Sequence, residues 1–371
     1  MARTKCTATS WAGLNWPGMI ETAAAAPLAL DRLGPWLRAH VPGADGAITA
    51  EKFPGGQSNP TYRISVDGAA RFVLRRKPDG VLLPSAHAVE REYRVTRALH
   101  GTAVPVAKPL ALCEDSSIVG TPFFVMEYLE GRNFWDATLP DLAPAERAAI
   151  YGAMADTLAA LHSVDPVAVG LADYGRPGDY FARQTARWTR QYRATETRQI
   201  DAIERLIEWL PANNPGSDES RVVHGDFRND NLIFAPDSAR VLAVIDWELS
   251  TLGHPLADAA QFALTWRFTP GRYRGLAGLD LAALGIPDEA AFLARYAAAS
   301  GAGAVDPAHW RFALAFACFR NACIRQGVYK RALEGNASSV SAAEHGIRAG
   351  FVADLGWRLA SGDDAAVLEA D

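Results

Sequence analysis

Cysteine is scarce in this chain, with four residues among 371. Cys6, Cys113, Cys318 and Cys323 are scattered, and the one close pair, spaced C-x4-C in a helix-like run, lacks partner ligands. Neither a disulfide framework nor a zinc site is therefore expected, and reduced thiols fit a cytoplasmic protein. Long apolar runs are also missing: no stretch approaches ~18 uninterrupted apolar residues, so no transmembrane helix is predicted. Near the N-terminus Asn15, Pro17 and Glu21 break the apolar residues before they reach signal-peptide length, and no export is expected. Neither sign of charge dominates. With 37 Lys and Arg against 42 Asp and Glu, the net charge of -5 gives no case for nucleic acid as a partner. Disorder is excluded as well, because 49% of the residues are hydrophobic and 21% charged.

What is present is enough chain for two substantial lobes. Residues 28 to 42, "LALDRLGPWLRAHVP", set Leu30, Leu33, Trp36 and Leu37 at helical spacing. From 49 to 76 the pattern becomes short β-rich runs, with a Gly-Gly turn at Gly55-Gly56 and a second turn at Asp67-Gly68. It reads as a strand, a glycine loop, a strand, a hairpin and a strand. A helix candidate follows at 86 to 100, then "VPVAKPLAL" and the strand "TPFFVMEYLEG". Beyond Gly131 the composition turns helical and alanine-rich. The chain thus divides into an extension at 1–27, a β-rich lobe at 28–129 and a mainly helical lobe at 130–371. That is an α+β fold class.

Inside the helical part lies "VVHGDFRNDNLIF", a polar cluster gripped between β-type runs. Asp226 can accept a proton from a hydroxyl or orient it, Arg228 can neutralise a phosphate oxygen, and Asn231 can ligate a metal through its amide oxygen. Fifteen residues beyond Asn231, a buried-looking β run in "VLAVIDWELSTLGHPLAD" ends in Asp246, a second candidate metal ligand. Oxygen ligands that leave room for waters and phosphates suit Mg2+.

Together "HGDFRNDN" and "IDW" resemble the aminoglycoside phosphotransferase and choline kinase-like family, which has a bilobal protein-kinase-like fold. The resemblance implies an ATP- and Mg2+-dependent kinase with a phosphate-covering loop, a phosphate-binding cation, a helix carboxylate and an adenine hinge, in that order. Gly55 and Gly56 match the loop, with Ser58 or Asn59 near the phosphates. Arg75 in "RFVLRR" matches the position of the kinase lysine, facing Glu92; Lys77 is its rival, and one of Glu90 and Glu92 must belong to a solvated helix face. Met126 matches the residue guarding the adenine pocket, and the backbone of Glu127 and Leu129 the hinge. Asp258 matches an aspartate that holds the catalytic loop, or is a simple helix cap. His224 and His254 are expected to be structural.

Several stretches, among them "GGQSNPTYRI", "IDWELSTLGHPLAD" and "GVYKRALEGNA", resemble the subfamily also found fused ahead of acyl-CoA dehydrogenase domains, over roughly residues 28–357. The chain leaves no length for that second domain, so a phosphotransferase is expected and not a flavin-dependent dehydrogenase. The subfamily resemblance implies a hydroxyacyl-CoA as small-molecule acceptor. Aminoglycosides, choline, sugars and a regulatory pseudokinase role are the alternatives. In "DYFARQTARWTRQYRATETRQ", Arg183, Arg187 and Arg190 fall on one helix face, with Tyr180, Trp188 and Tyr192 as expected aromatic surface. Such a face suits an anionic, nucleotide-bearing ligand such as a CoA thioester, or is simply solvated. Arg320, Arg325, Lys330 and Arg331 form a second basic set, equally open.

Overall fold

Alternation builds the first sheet. In "TYRISV", Tyr62, Ile64 and Val66 are buried while the residues between them are half-exposed, the period of a strand with one face on a core. Asp67 and Gly68 close the hairpin with φ of +50° and +81°, the left-handed pair that a tight two-residue turn needs. The computed structural model describes residues 28–53, 59–79, 88–217, 219–334 and 342–368. Gly55, Gly56, Ser58, the extension 1–27 and the end of "GVYKRALEGNA" lie outside the described residues.

In chain order the first elements are α1 (Leu30–His40), β1 (Ile48–Lys52), β2 (Thr61–Val66), β3 (Ala69–Arg76), α2 (Val89–Leu99), β4 (Pro109–Cys113), α3 (Ser116–Val119) and β5 (Phe123–Glu127). Then come α4 (Pro144–Ser163), α5 (Tyr180–Thr195), α6 (Asp201–Ala212), β6 (Arg221–Val223), β7 (Leu232–Phe234), β8 (Val241–Val244) and β9 (Thr251–Gly253). The last are α7 (Pro255–Arg267), α8 (Leu281–Leu284), α9 (Glu289–Ser300), α10 (Pro307–Leu333) and α11 (Ala342–Ala360). They gather into two compact units, one running to Asn133 and taking in Asn231–Leu249, the other made of Phe134–Asp230 and Ser250 onward. The first is rich in β-structure and the second mainly helical, as the sequence predicts for an α+β chain. Among the described residues no helix is long and apolar enough to cross a membrane.

In the first unit an antiparallel sheet of order β1-β2-β3-β5-β4 packs one face onto α1, where Leu33 and Leu37 meet Ile64, Leu74, Phe123 and Val125. Each of these buried apolar side chains contributes about 1.5–3 kcal/mol relative to exposure. On α2 the buried stripe is Val89, Glu92, Val95, Thr96 and Leu99, so helical spacing alone carries the carboxylate of Glu92 inward. The β7–β8 hairpin belongs to this unit; Arg132 bridges to Phe234 through reciprocal backbone hydrogen bonds of 2.7 and 2.8 Å.

The second unit is organised on α10, which packs against α5, α6, α7 and α11. Around α7 an aromatic cluster forms from Tyr151, Phe262, Trp266 and Phe292, with ring centroids 4.9 to 6.4 Å apart. Phe227 joins it, 5.9 Å from Phe262 and fully buried, and so plugs the loop between Asp226 and Arg228 into the helical core.

Gly131 tests the first unit's packing. A Cβ there would lie 2.5 Å from both the Phe234 carbonyl oxygen and the Ile233 side chain. Backbone cannot yield as a flexible side chain can, so Gly131→Ala is expected to destabilise by about 1–3 kcal/mol, read as a lower urea midpoint with unchanged slope.

Candidate functional site

In the first unit the site is built around Arg75. β3 carries this residue opposite Phe124 of β5, and its guanidinium reaches α2 on one side and the end of β8 on the other. Nε lies 2.9 Å from Glu92 Oε2, Nη2 lies 2.6 Å from Asp246 Oδ1, and Glu248 stands 3.8 Å away. Burial works against the charge, but Glu92, Asp246 and Glu248 outweigh it and hold the guanidinium's pKa above its ordinary value. Burial pushes Glu92 up against the pull of Arg75. Lys77 pairs instead with Glu90 at 2.5 Å, and both are partly exposed, so Arg75 and not Lys77 shares the buried carboxylate of α2. Asn59, expected near phosphates, is buried beneath this cluster, where its amide donates to Glu92 Oε1 at 2.6 Å.

Asp246 has a φ of +66°, an unusual backbone for a residue other than glycine. Trp247 helps hold it there, since its buried indole donates to the Val244 carbonyl at 3.0 Å. Asn231 is buried one position before β7, and its carbonyl accepts from Ile245 at 2.9 Å, which sets the two candidate metal ligands at neighbouring positions of one hairpin. Both offer hard oxygen donors, and Asp246 already binds a cation in the form of Arg75, so the pair fits a magnesium ion completed by phosphates and water. Among the described residues no group of three His, Cys, Asp or Glu is placed to hold a metal on its own. Nearby, Met126, Leu129, Leu242 and Ile245 form a partly buried apolar patch over Ala107, Ile233 and Ala243. Glu127 is tied to Lys108, its amide donating to the Lys108 carbonyl and its carboxylate accepting from the Lys108 amide.

In the second unit the catalytic-loop candidates hang from α7. Asp258 accepts the backbone N–H of His224 and, at 2.7 Å, that of Gly225. Burial opposes its charge, yet hydrogen bonding from His162 and the Gly225 N–H keep its pKa below the ordinary value. His224 is fully buried, and its Nδ1 accepts the N–H of Asp226 at 3.2 Å, so it shapes the loop from beneath. Arg320 holds the same turn through the Gly225 carbonyl at 2.7 Å. Beyond the turn Arg228 lies 3.4 Å from Asp226 and 3.1 Å from Asp230. Asn229 donates to the Phe134 carbonyl at 2.6 Å. A cavity of about 140 Å³ adjoins these residues, lined also by Trp135, Tyr273, Arg274 and Arg325.

The helix α5 differs from expectation. Tyr180, Trp188 and Tyr192 are buried in the helical core and offer no aromatic surface, because they recur on the stripe facing α10. Arg187 and Arg190 remain exposed, whereas Arg183 donates to the carbonyls of Arg176 and Pro177. The sequence reading missed Arg274, Tyr273 and Trp135. The signal for two of them was a basic-aromatic tract, "GRYRG", in a non-helical stretch.

Residues 49–315 match the model of the phosphotransferase enzyme family. The chain is 49% identical over 319 residues to acyl-CoA dehydrogenase family member 10 of Mus musculus, covering 85% of this chain and 30% of that protein. Against acyl-CoA dehydrogenase family member 11 of Homo sapiens it is 44% identical over 299 residues, covering 80% of this chain and 38% of the relative. It therefore spans well under half the length of these curated relatives. A crystal structure from Ralstonia eutropha JMP134, provisionally described as an aminoglycoside phosphotransferase, is 48% identical with a TM-score of 0.82, covering 90% of this chain and 98% of that one. At 17% identity and a TM-score of 0.57, an aminoglycoside phosphotransferase solved with ADP and hygromycin B shares the fold over 85% of this chain and 96% of its own.

His254 caps α7, the helix that suspends the loop, by accepting from the Leu256 N–H at 3.2 Å. Burial, with His162 and His309 nearby, pushes its pKa down to about 4. The unfolded chain takes up this proton near pH ~6.5, so it binds more protons than the folded state between the two values, and stability falls as pH drops through that window. The loss should approach on the order of 3 kcal/mol across the window. His254→Asn, which can still cap, should flatten the dependence of the urea midpoint between pH 7.5 and 5.

Proposed function

We propose that this chain, which belongs to the phosphotransferase enzyme family, acts on small-molecule hydroxyls and transfers the γ-phosphoryl group of ATP to the hydroxyl of a hydroxyacyl-CoA. The observation that carries the nucleotide part is Arg75 held between Glu92 and Asp246, a fixed cation with two carboxylate partners. In this reading Arg75 meets phosphate oxygens, with Gly55, Gly56 and Ser58 as the covering loop. The patch of Met126 and Leu129 receives adenine, and the backbone at Glu127 and Leu129 meets its edge. Asn231 and Asp246 would hold magnesium, whose contribution is to neutralise charge on the transferred phosphate. Asp226 accepts or orients the acceptor's proton, while Arg228, beside it, restrains the carboxylate and offers charge to the moving phosphoryl group.

For the acceptor, two features support the acyl-CoA reading. The curated relatives carry the name of acyl-CoA dehydrogenases. Arg187 and Arg190 are exposed cations on α5, where CoA phosphates can dock, though Trp188 is too buried to stack on an adenine there. A polycationic aminoglycoside gains nothing from such a face.

Asp226→Ala should lower turnover by roughly 10²- to 10⁴-fold with the urea midpoint retained, and near-normal turnover would remove Asp226 from the chemistry. The acceptor is decided by measuring ATP consumption with medium-chain 4-hydroxyacyl-CoA, the free hydroxy acids, choline and kanamycin. Turnover is expected with the thioester; an inert thioester beside a phosphorylated cationic acceptor defeats the CoA assignment.

A further inference from the structure

The cavity beside Asp226 holds more positive charge than its carboxylates can balance. Arg228, Arg274 and Arg325 line it together with Asp226 and Asp230. Arg228 engages both carboxylates, while Arg274 reaches only Asp230, at 3.5 Å. The guanidinium of Arg274 sits over the Trp135 ring, its Cζ 3.7 Å from the centroid. Arg325 makes no ion pair among the described residues. Its Nε donates to the neutral Asn321 amide at 2.7 Å, and its Cζ lies 5.5 Å from the Tyr273 ring, which Arg348 approaches at 5.7 Å.

Burial, reinforced by Arg348, Arg274 and Arg228, pulls the pKa of Arg325 down to about 10 against the Tyr273 phenol. A guanidinium placed among other cations, with aromatic faces and a neutral amide as its neighbours, gives up hydration without an opposite charge in return. Aromatic rings accept a cation, but they do not satisfy the in-plane N–H fork. The missing complement is a group with paired anionic oxygens.

We propose that this cavity is an oxyanion site, in which Arg274 and Arg325, aided by Arg228, hold a carboxylate of the acceptor or the phosphate newly transferred to it beside Asp226. The inference rests on the phosphotransferase reading and narrows its acceptor class: hydroxyl compounds that bring a cation into this cavity are repelled. Planar forks grip such groups through two parallel N–H bonds, which also orients the ligand. At about 140 Å³ the cavity has room for such a group and a short carbon chain. The oxyanion has two sources. A free hydroxy acid brings its carboxylate, whereas an acyl-CoA brings charge there only once its hydroxyl carries the transferred phosphate.

Binding without turnover separates this proposal from the catalytic one. The 371-residue chain, with Arg325→Met and Arg325→Lys variants, is titrated calorimetrically without nucleotide against 4-hydroxypentanoate, its uncharged methyl ester, and the phosphomonoester of that methyl ester. Anionic probes should bind and the plain ester should not. Arg325→Met should weaken that binding by roughly tenfold or more, and Arg325→Lys should restore part of it. Tight binding of the free acid assigns the carboxylate, and binding of the phosphomonoester alone assigns the transferred phosphate; either supports the site. Equal binding of the plain ester, or anion binding indifferent to Arg325→Met, overturns it. A thermal shift with ATP that persists in both variants shows them folded, and loss of turnover in Asp226→Ala tests the phosphotransferase reading independently.

Discussion

The site in the first unit depends on one largely enclosed cation, Arg75. Arg75 links the sheet to the carboxylate of α2 and to the strained turn at Asp246, and Glu92 is costly to bury without it. An arginine here, where kinase-like chains carry lysine, follows from the distances. Nε serves Glu92 while Nη2 serves Asp246, and a planar fork can meet two carboxylates in fixed directions where an ammonium is a single point. Asn59 adds a neutral donor to Glu92, so the carboxylate is satisfied without a second cation competing with Arg75.

The second unit solves a different problem, that of keeping a short polar loop rigid without regular structure. Its backbone N–H groups go to Asp258, its Gly225 carbonyl to Arg320, and Phe227 is driven into the aromatic cluster around Phe262. Asp258 and Phe262 are four residues apart on α7, one turn of the same face. A single helix therefore grips the loop by charge and by apolar contact, and Asp226 emerges between two anchored neighbours.

Much of this was legible beforehand because it is local or periodic. The hairpin at Asp67-Gly68, the alternation of β2 and the order Asp226, Arg228, Asn231, Asp246 all lie in short windows of sequence. The choice between Glu90 and Glu92 was legible too, had the stripe Val89, Glu92, Val95, Leu99 been extended through the charge. The same rule applied to α5 removes Trp188 from the surface, since Tyr180, Thr185, Trp188 and Tyr192 form its buried stripe. What sequence could not show are contacts between residues remote in the chain. Trp135 beneath Arg274, and Tyr273 between Arg325 and Arg348, depend on how loops and helices of the second unit return to one place, and no local pattern encodes that.

The Arg75 cluster of the first unit and the cavity of the second carry opposite surpluses of charge. In the first, one guanidinium, Arg75, faces Glu92, Asp246 and Glu248, so the cluster retains negative charge that a metal ion can offset. In the second, Arg228, Arg274 and Arg325 exceed Asp226 and Asp230, leaving positive charge that an anion can offset. Phosphoryl transfer brings both kinds of charge, a cation with the nucleotide and an oxyanion with the acceptor or product. Under the proposed function each surplus would be relieved by the ligand that the chemistry requires, and part of the binding energy would be set by charges the fold leaves unbalanced.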